Sequence, residues 1–186
     1  MNTSVAQSKI VNGYNTEKMA ETVTAVKGNP ELAKFKFRAQ NQWRDGSRNT
    51  VAIGGYYGTC QELEPNRKFE HQADEPTVLL GQDSAANPAE YLLTALSSCM
   101  TTSLSLHAAA EGIEVETMES EYEGDIDLRG FLNLDPNVRQ GYQEIRVKFK
   151  VKSDADKKKL EELAQRSPMF DTIRNPTTVK VEFVTE

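Results

Sequence analysis

The chain has 186 residues, of which 38% are hydrophobic and 27% are charged, and its formal net charge is −6. This length suits one domain with at most a short appendage, and the composition is that of a globular rather than a disordered protein. The negative charge argues against a nucleic-acid partner, because phosphate binding requires a basic stripe. Two cysteines and two histidines do not form a disulfide framework or a zinc pattern, so we expect no metal and no cofactor.

Localisation is predicted from the N-terminus and from one long uncharged segment. The first residues lack a basic start followed by an apolar core, so no signal peptide is predicted and a cytoplasmic location is the default expectation. Residues 91–110 contain no charged residue over a length that suits a bilayer. Because this segment is rich in serine and threonine, we expect a helix surrounded by protein and no membrane partner.

The N-terminal part is predicted to be a helical appendage. Residues 1–14 are expected to be frayed. An amphipathic helix then begins at Asn15-Thr16-Glu17 and ends at Gly28-Asn29-Pro30. The sequence therefore predicts an appendage over residues 1–32 and a main domain over residues 33–186.

Strands are predicted next. Residues 33–57 alternate apolar and polar side chains on both sides of the turn Arg44-Asp45-Gly46-Ser47, which is typical of a hairpin. Its second strand is predicted to run from Val51 to Tyr57. Residues 68–80 are interrupted by Pro76 and are predicted to form a short edge strand.

A long helix is predicted after these strands. Asn87 is a favourable N-cap, Pro88 occupies the first helical position, Glu90 lies three residues after the cap, and Gly112 ends the helix. A helix of about 24 residues spans roughly 36 Å. Because residues 91–110 carry no charged side chain, the helix must be covered nearly all round, and we expect a sheet on one side and a second copy of the helix on another.

Two strands follow with a two-residue period. Residues 119–128 place acidic side chains on one face, and residues 145–152 place basic side chains on one face. Opposite charges favour antiparallel pairing by roughly 0.2–1 kcal/mol per cross-strand pair. The two strands are therefore expected to pair, joined by a loop over residues 130–141.

The C-terminal part is predicted to contain two helices and a strand. The residues Ser153 to Asp156 cap a helix that runs to about Arg166, and Ser167-Pro168 begins a short helix that ends at Arg174. The alternating residues Val179, Val181 and Phe183 predict a last strand. Antiparallel strands with helices grouped between them define the α+β class.

Two motifs resemble those of the OsmC/Ohr superfamily. The first includes Glu75-Pro76 and then runs from Asn87-Pro88 to Cys99, twelve residues after the asparagine; the second is Ser167-Pro168-Met169-Phe170 followed by Asn175-Pro176. The resemblance covers residues 33–186. It implies an OsmC-like α+β fold, with antiparallel sheets packed on a long buried central helix. It also implies an intertwined homodimer with two active sites at the subunit interface.

For the catalytic branches, the resemblance implies thiol-dependent reduction of organic hydroperoxides. One cysteine attacks the peroxide, a second resolves it as a disulfide, and an arginine and a glutamate set the pKa of the first thiol. Here Ser167 stands where the resolving cysteine is expected, and Ala89 stands where the glutamate is expected, with Glu90 one residue later. Because one residue turns a helix by about 100°, the Glu90 carboxylate cannot occupy the place of a glutamate at position 89. With both departures, the chain resembles more closely the branch that lacks the second cysteine.

The candidate catalytic residues are Cys99, Arg44 and Glu90, and each has a structural alternative. Cys99 lies about three turns into its helix, beyond the reach of the helix dipole, so a cation such as Arg44 must activate it; otherwise Cys99 is a small buried side chain. Arg44 is otherwise an exposed turn residue. Glu90 is otherwise half of a capping box, and it lies on the opposite side of the helix from Cys99.

Two functions remain open. In the first, a one-cysteine peroxidase acts on organic hydroperoxides and is regenerated by an external thiol or dithiol. In the second, a binding module holds a small apolar molecule in the interface pocket without chemistry. The candidate substrate-binding residues are Leu92, Leu96, Met100 and Ser167, although Ser167 also fits an N-cap. Cys60 and His107 are interpreted as an isolated thiol and a structural histidine.

Overall fold

The computed structural model describes residues 9–66, 68–175 and 177–185, which form two units. The N-terminal unit comprises the described residues up to Leu92 apart from Val11–Tyr14, and the C-terminal unit comprises Val11–Tyr14 with the described residues from Leu93 onward. The division at residue 32 stays a prediction.

The chain begins with a small hairpin rather than a frayed end. Strands β1 (Ile10–Val11) and β2 (Tyr14–Asn15) flank Asn12-Gly13, whose φ angles of 48° and 82° suit an Asn-Gly turn. The Asn12 side chain donates to the Ile113 carbonyl at 2.9 Å and accepts from the Val115 amide at 2.9 Å. The predicted fraying was wrong for residues 10–14, because these hydrogen bonds anchor the turn. Residues 1–8 lie outside the described residues.

The predicted N-terminal helix is confirmed as α1, Thr16–Gly28. The Asn15 side chain caps it by accepting from the Lys18 amide, and the Asn29 amide closes it on the Ala25 carbonyl. None of its residues is buried. A short 3-10 helix, Pro30–Ala33, follows.

A three-stranded antiparallel sheet forms the main part of the N-terminal unit. Its strands are β3 (Ala39–Asp45) and β4 (Arg48–Ile53), which form the predicted hairpin, and the predicted edge strand, which pairs with β4. The second strand ends at Ile53 rather than at Tyr57, because Gly54-Gly55 interrupts it. A separate hairpin follows, formed by β5 (Tyr56–Gly58) and β6 (Gln61–Leu63).

The edge strand is β7, Phe69–Ala73. Side chains alternate across the sheet, so one face is mostly apolar and the other mostly polar. The apolar face includes Val51, Ile53, Phe69 and His71. His71 makes an edge-on ring contact with Tyr91, whose hydroxyl donates to the Gln72 carbonyl at 2.7 Å.

The predicted long helix is confirmed as α2, Pro88–Ala110. Four of its six buried residues recur every four positions and form one stripe. The stripe consists of Leu96, Met100, Leu104 and Ala108. No helix in the described parts of the chain is long and apolar enough to cross a membrane.

Opposite α2 lies the predicted antiparallel pair, β8 (Val115–Asp125) and β9 (Glu144–Ser153). The apolar face of this pair packs against the α2 stripe. The opposite face pairs acidic with basic residues, and the pairs are Glu119–Lys150, Glu121–Lys148 and Glu123–Arg146. The first strand does not reach residue 128, because Asp127 caps a short helix α3, Leu128–Phe131, by accepting from the Arg129 amide.

The two C-terminal helices are confirmed as α4, Lys157–Ala164, and α5, Pro168–Arg174, capped by Asp156 and Ser167. The predicted last strand was wrong for a single chain. Residues 177–185 have no regular secondary structure. A strand requires a neighbouring strand for its backbone hydrogen bonds, and the described part of this chain supplies none.

Candidate thiol site

Cys99 lies at the edge of the C-terminal core. It precedes Met100 by one residue, so its side chain points about 100° away from the buried stripe. Met100 and Leu96 are only 4% and 3% exposed, whereas Cys99 is partly exposed. Cys99 is therefore next to the buried stripe along the helix, and the residue is itself only partly buried.

Glu90 forms the predicted capping box. Its amide donates to Asn87 Oδ1 at 2.8 Å, and the Asn87 amide donates back to Glu90 Oε2 at 2.8 Å. Cys99 follows nine residues later on the same helix, about 13 Å along its axis. The structure thus supports the capping role, and a catalytic role for Glu90 stays a prediction.

Arg44 lies on the polar face of the N-terminal sheet. A bulge falls at this residue, because the register between β3 and β4 shifts between Trp43 and Asp45. The Arg44 Nε donates to Thr50 Oγ1 at 3.1 Å. The side chain borders an open cleft of about 570 Å³ that Glu70 also lines. Arg44 belongs to the N-terminal unit and Cys99 to the C-terminal unit, so their pairing in one site stays a prediction.

The predicted substrate-binding residues differ in exposure. Leu96 and Met100 belong to the core, and Leu92 is 38% exposed. Ser167 is buried, and its hydroxyl accepts from the Phe170 amide at 3.2 Å, as expected of an N-cap. Contact of these residues with a ligand stays a prediction.

The remaining two candidates lie elsewhere. Cys60 is exposed in the two-residue turn between β5 and β6, where Thr59 and Cys60 have φ angles of 50° and 64°. His107 lies on α2, eight residues after Cys99. Burial lowers the pKa of His107, and the positive charge of Arg166 lowers it further, against the opposing effect of Glu111.

Asp74 was missed by the sequence analysis. It is 1% exposed and accepts five hydrogen bonds through its two carboxylate oxygens. Oδ1 accepts from the Ser47 hydroxyl and the Glu75 amide, and Oδ2 accepts from the Gln82 amide and from the amide and hydroxyl of Ser84. The hydroxyl bonds of Ser47 and Ser84 are the main reason that the pKa of Asp74 is well below its usual range. Its position after an alternating strand was visible in the sequence, but burial of a carboxylate was not.

Among the residues that the structure describes, no group of three or more His, Cys, Asp or Glu side chains is arranged to hold a metal ion.

The family profile of the OsmC-like proteins matches residues 81–182, which is more than half of the chain. The chain therefore belongs to the OsmC-like protein family. No curated protein matches it.

Solved structures show the same fold at low sequence identity. An OsmC-like protein from Mycoplasma pneumoniae is 16% identical with a TM-score of 0.57, and the match covers 76% of this chain and 89% of the other. An osmotic-stress-induced and detoxification-response protein from Psychrobacter arcticus 273-4 is 18% identical with a TM-score of 0.54, covering 74% of this chain and 88% of the other. At such identities the likeness establishes the fold and not the activity.

Proposed function

We propose that this chain is a one-cysteine peroxidase that reduces organic hydroperoxides, with Cys99 as the attacking thiol. The observation that supports this proposal is the position of Cys99 in an OsmC-like chain, partly exposed at the edge of an apolar core. An alkyl or aryl hydroperoxide has an apolar tail that such surroundings favour.

The chemistry requires a thiolate, a cation and an external reductant. The Cys99 thiolate attacks the distal peroxide oxygen, the O–O bond breaks, and the products are a sulfenic acid and, after proton uptake, an alcohol. A first reductant thiol then forms a mixed disulfide and releases water, and a second thiol regenerates Cys99 as it forms the reductant disulfide. Arg44 is the proposed cation that lowers the thiol pKa. An external reductant is needed because the Ser167 hydroxyl cannot form a disulfide.

The active protein is proposed to be a homodimer. The side of α2 away from its core stripe is uncharged and exposed in one chain, and includes Ala95, Ser98 and Thr102. A second copy of α2 would cover this side. We further propose that Arg44 of one subunit acts on Cys99 of the other.

The decisive experiment measures the rate of sulfenic acid formation at Cys99. Wild-type protein is mixed with cumene hydroperoxide or hydrogen peroxide, with Cys99→Ser as the negative control and Cys60→Ser as the matched cysteine control. We expect rapid oxidation by cumene hydroperoxide, at least tenfold slower oxidation by hydrogen peroxide, and no effect of Cys60→Ser. A rate equal to that of a free thiol would refute the peroxidase proposal.

A second candidate function is supported by Ala89 and Ser167, which replace residues expected of the catalytic branches. Under this alternative, a pocket at the proposed dimer interface binds a small apolar molecule without chemistry. A slow thiol together with a rise in Tm on addition of fatty or aromatic ligands would favour it.

A further inference from the structure

Asp74 joins two segments of the N-terminal unit. One donor, the Ser47 hydroxyl, belongs to the β3–β4 turn and lies 2.6 Å from Oδ1. The others belong to the loop between β7 and α2: the Ser84 hydroxyl, for example, lies 2.7 Å from Oδ2. The Asp74 amide also donates to the Ala86 carbonyl, one residue before the α2 cap. A single carboxylate therefore links the turn that contains Arg44 to the loop that leads into α2.

The other side-chain hydrogen bonds described for this turn stay within the β3–β4 hairpin. The Trp43 indole N–H donates to the Gly46 carbonyl at 3.0 Å, and Arg48 pairs with Asp45 at 2.8 Å. Arg44 itself bonds Thr50 within the same hairpin. Across the described residues, the bond from Ser47 to Asp74 is thus the one side-chain hydrogen bond that joins residues 43–48 to a segment outside the β3–β4 hairpin.

We propose that Asp74 is a positioning residue, which holds the β3–β4 turn through Ser47 and thereby fixes the direction of the Arg44 side chain. The proposal rests on the proposed function in that Arg44 is taken as the cation that activates Cys99. Hydrogen bonds to an ionised carboxylate are shorter and stronger than neutral ones. Because Asp74 remains ionised far into the acidic range, this link persists wherever a thiol peroxidase would operate.

The test compares Ser47→Ala with Ser84→Ala. Each substitution removes one hydroxyl hydrogen bond to Asp74, of 2.6 and 2.7 Å respectively, but only Ser47→Ala disconnects the turn. Both variants are expected to lower Tm by a similar amount, about 2–6 °C. Ser47→Thr, which keeps the hydroxyl, serves as the rescue variant.

The first readout is the fluorescence anisotropy of Trp43, the single tryptophan of the chain, which lies next to Arg44. We expect lower anisotropy in Ser47→Ala and wild-type anisotropy in Ser84→Ala and Ser47→Thr. Equal anisotropy in the two alanine variants would overturn the proposal, because the turn would then be held without Asp74.

The second readout is the pKa of the Cys99 thiol, measured from the pH dependence of its alkylation in a Cys60→Ser background. Arg44→Ala should raise this pKa, because a nearby cation favours the thiolate. Ser47→Ala should raise it by less and slow alkylation at pH 6 at least threefold, whereas Ser84→Ala should leave it unchanged. If Arg44→Ala shifts the pKa and Ser47→Ala does not, the positioning role is refuted and the proposed function stands.

The same measurements also distinguish a failure of the proposed function from a failure of the positioning role. If Arg44→Ala leaves the Cys99 pKa unchanged, Arg44 is not the activating cation and that part of the proposed function fails. The anisotropy of Trp43 then still decides whether Asp74 holds the turn.

Discussion

Asp74 combines near-complete burial with a full negative charge, a combination that is costly unless hydrogen bonds replace the lost water. All five of its donors are neutral groups, and within the described part of the chain no cation pairs with it. Serine hydroxyls and backbone amides of two loops replace the solvent. The carboxylate thus connects residues of two loops.

This arrangement predicts a pH-dependent contribution to stability. The folded-state pKa of Asp74 is below the ordinary value of 3.8, so the unfolded chain binds more protons in the acidic range. The stabilisation is therefore fully present above about pH 4 and decreases as the pH falls further. We expect Asp74→Asn to be less stable than wild type at pH 7 and the difference to shrink between pH 4 and pH 2.5.

Urea denaturation at a series of pH values measures this difference. Other acidic residues with lowered pKa, such as Asp125 and Asp127, titrate in both proteins and largely cancel in the comparison. A stability difference that is the same at pH 7 and pH 2.5 would contradict the assigned role of the charge.

The capping box at the first turn of α2 can be tested by substitution. Because glutamine can also accept the Asn87 amide, Glu90→Gln should preserve the capping box, with a change in unfolding free energy below about 0.5 kcal/mol. Asn87→Ala removes the cap and should cost about 1 kcal/mol. Chemical denaturation of the two variants measures both values.

Comparing Glu90→Gln with Asn87→Ala also distinguishes a capping role of Glu90 from a catalytic one. An equal loss of stability in both variants would contradict the capping box. A slower oxidation of Cys99 in Glu90→Gln at unchanged stability would instead assign the carboxylate a chemical role.

The elements that the sequence predicted best are those with several agreeing signals. For α2, the cap, the first-turn proline and the uncharged length all agreed, and for β8 and β9 the two-residue period agreed with opposite charges. The β5–β6 hairpin was missed because Thr59 and Cys60 are not typical turn residues, although both have positive φ. The end of β8 was misplaced because the cap at Asp127 interrupts an alternation that continues in sequence.

For the whole molecule, the sequence predicted the fold class and the family but not the assembly of the site. The motif from Asn87 to Cys99 predicted the long helix and the family, whereas the role of Arg44, predicted from its place in a turn, stays a prediction. Asp74 was not found, because its role depends on donors that lie 27 residues before it and 10 residues after it. Contacts at such separations arise only from the tertiary fold and leave no local pattern.

The C-terminal segment provides a test of the dimer. The alternating residues Val179, Val181 and Phe183 are 80%, 72% and 88% exposed in one chain, yet they have the pattern of a half-buried strand. If a second subunit covers this segment, Val181→Asp buries a charge at the interface and should weaken the dimer at least tenfold, about 1.4 kcal/mol. Thr178→Asp introduces the same charge at a polar position and should leave the dimer intact.

Sedimentation velocity over a range of concentrations measures the dimerisation of both variants. Equal dimerisation of the two variants would exclude the segment from the interface, and a monomeric wild type at high concentration would refute the dimer itself.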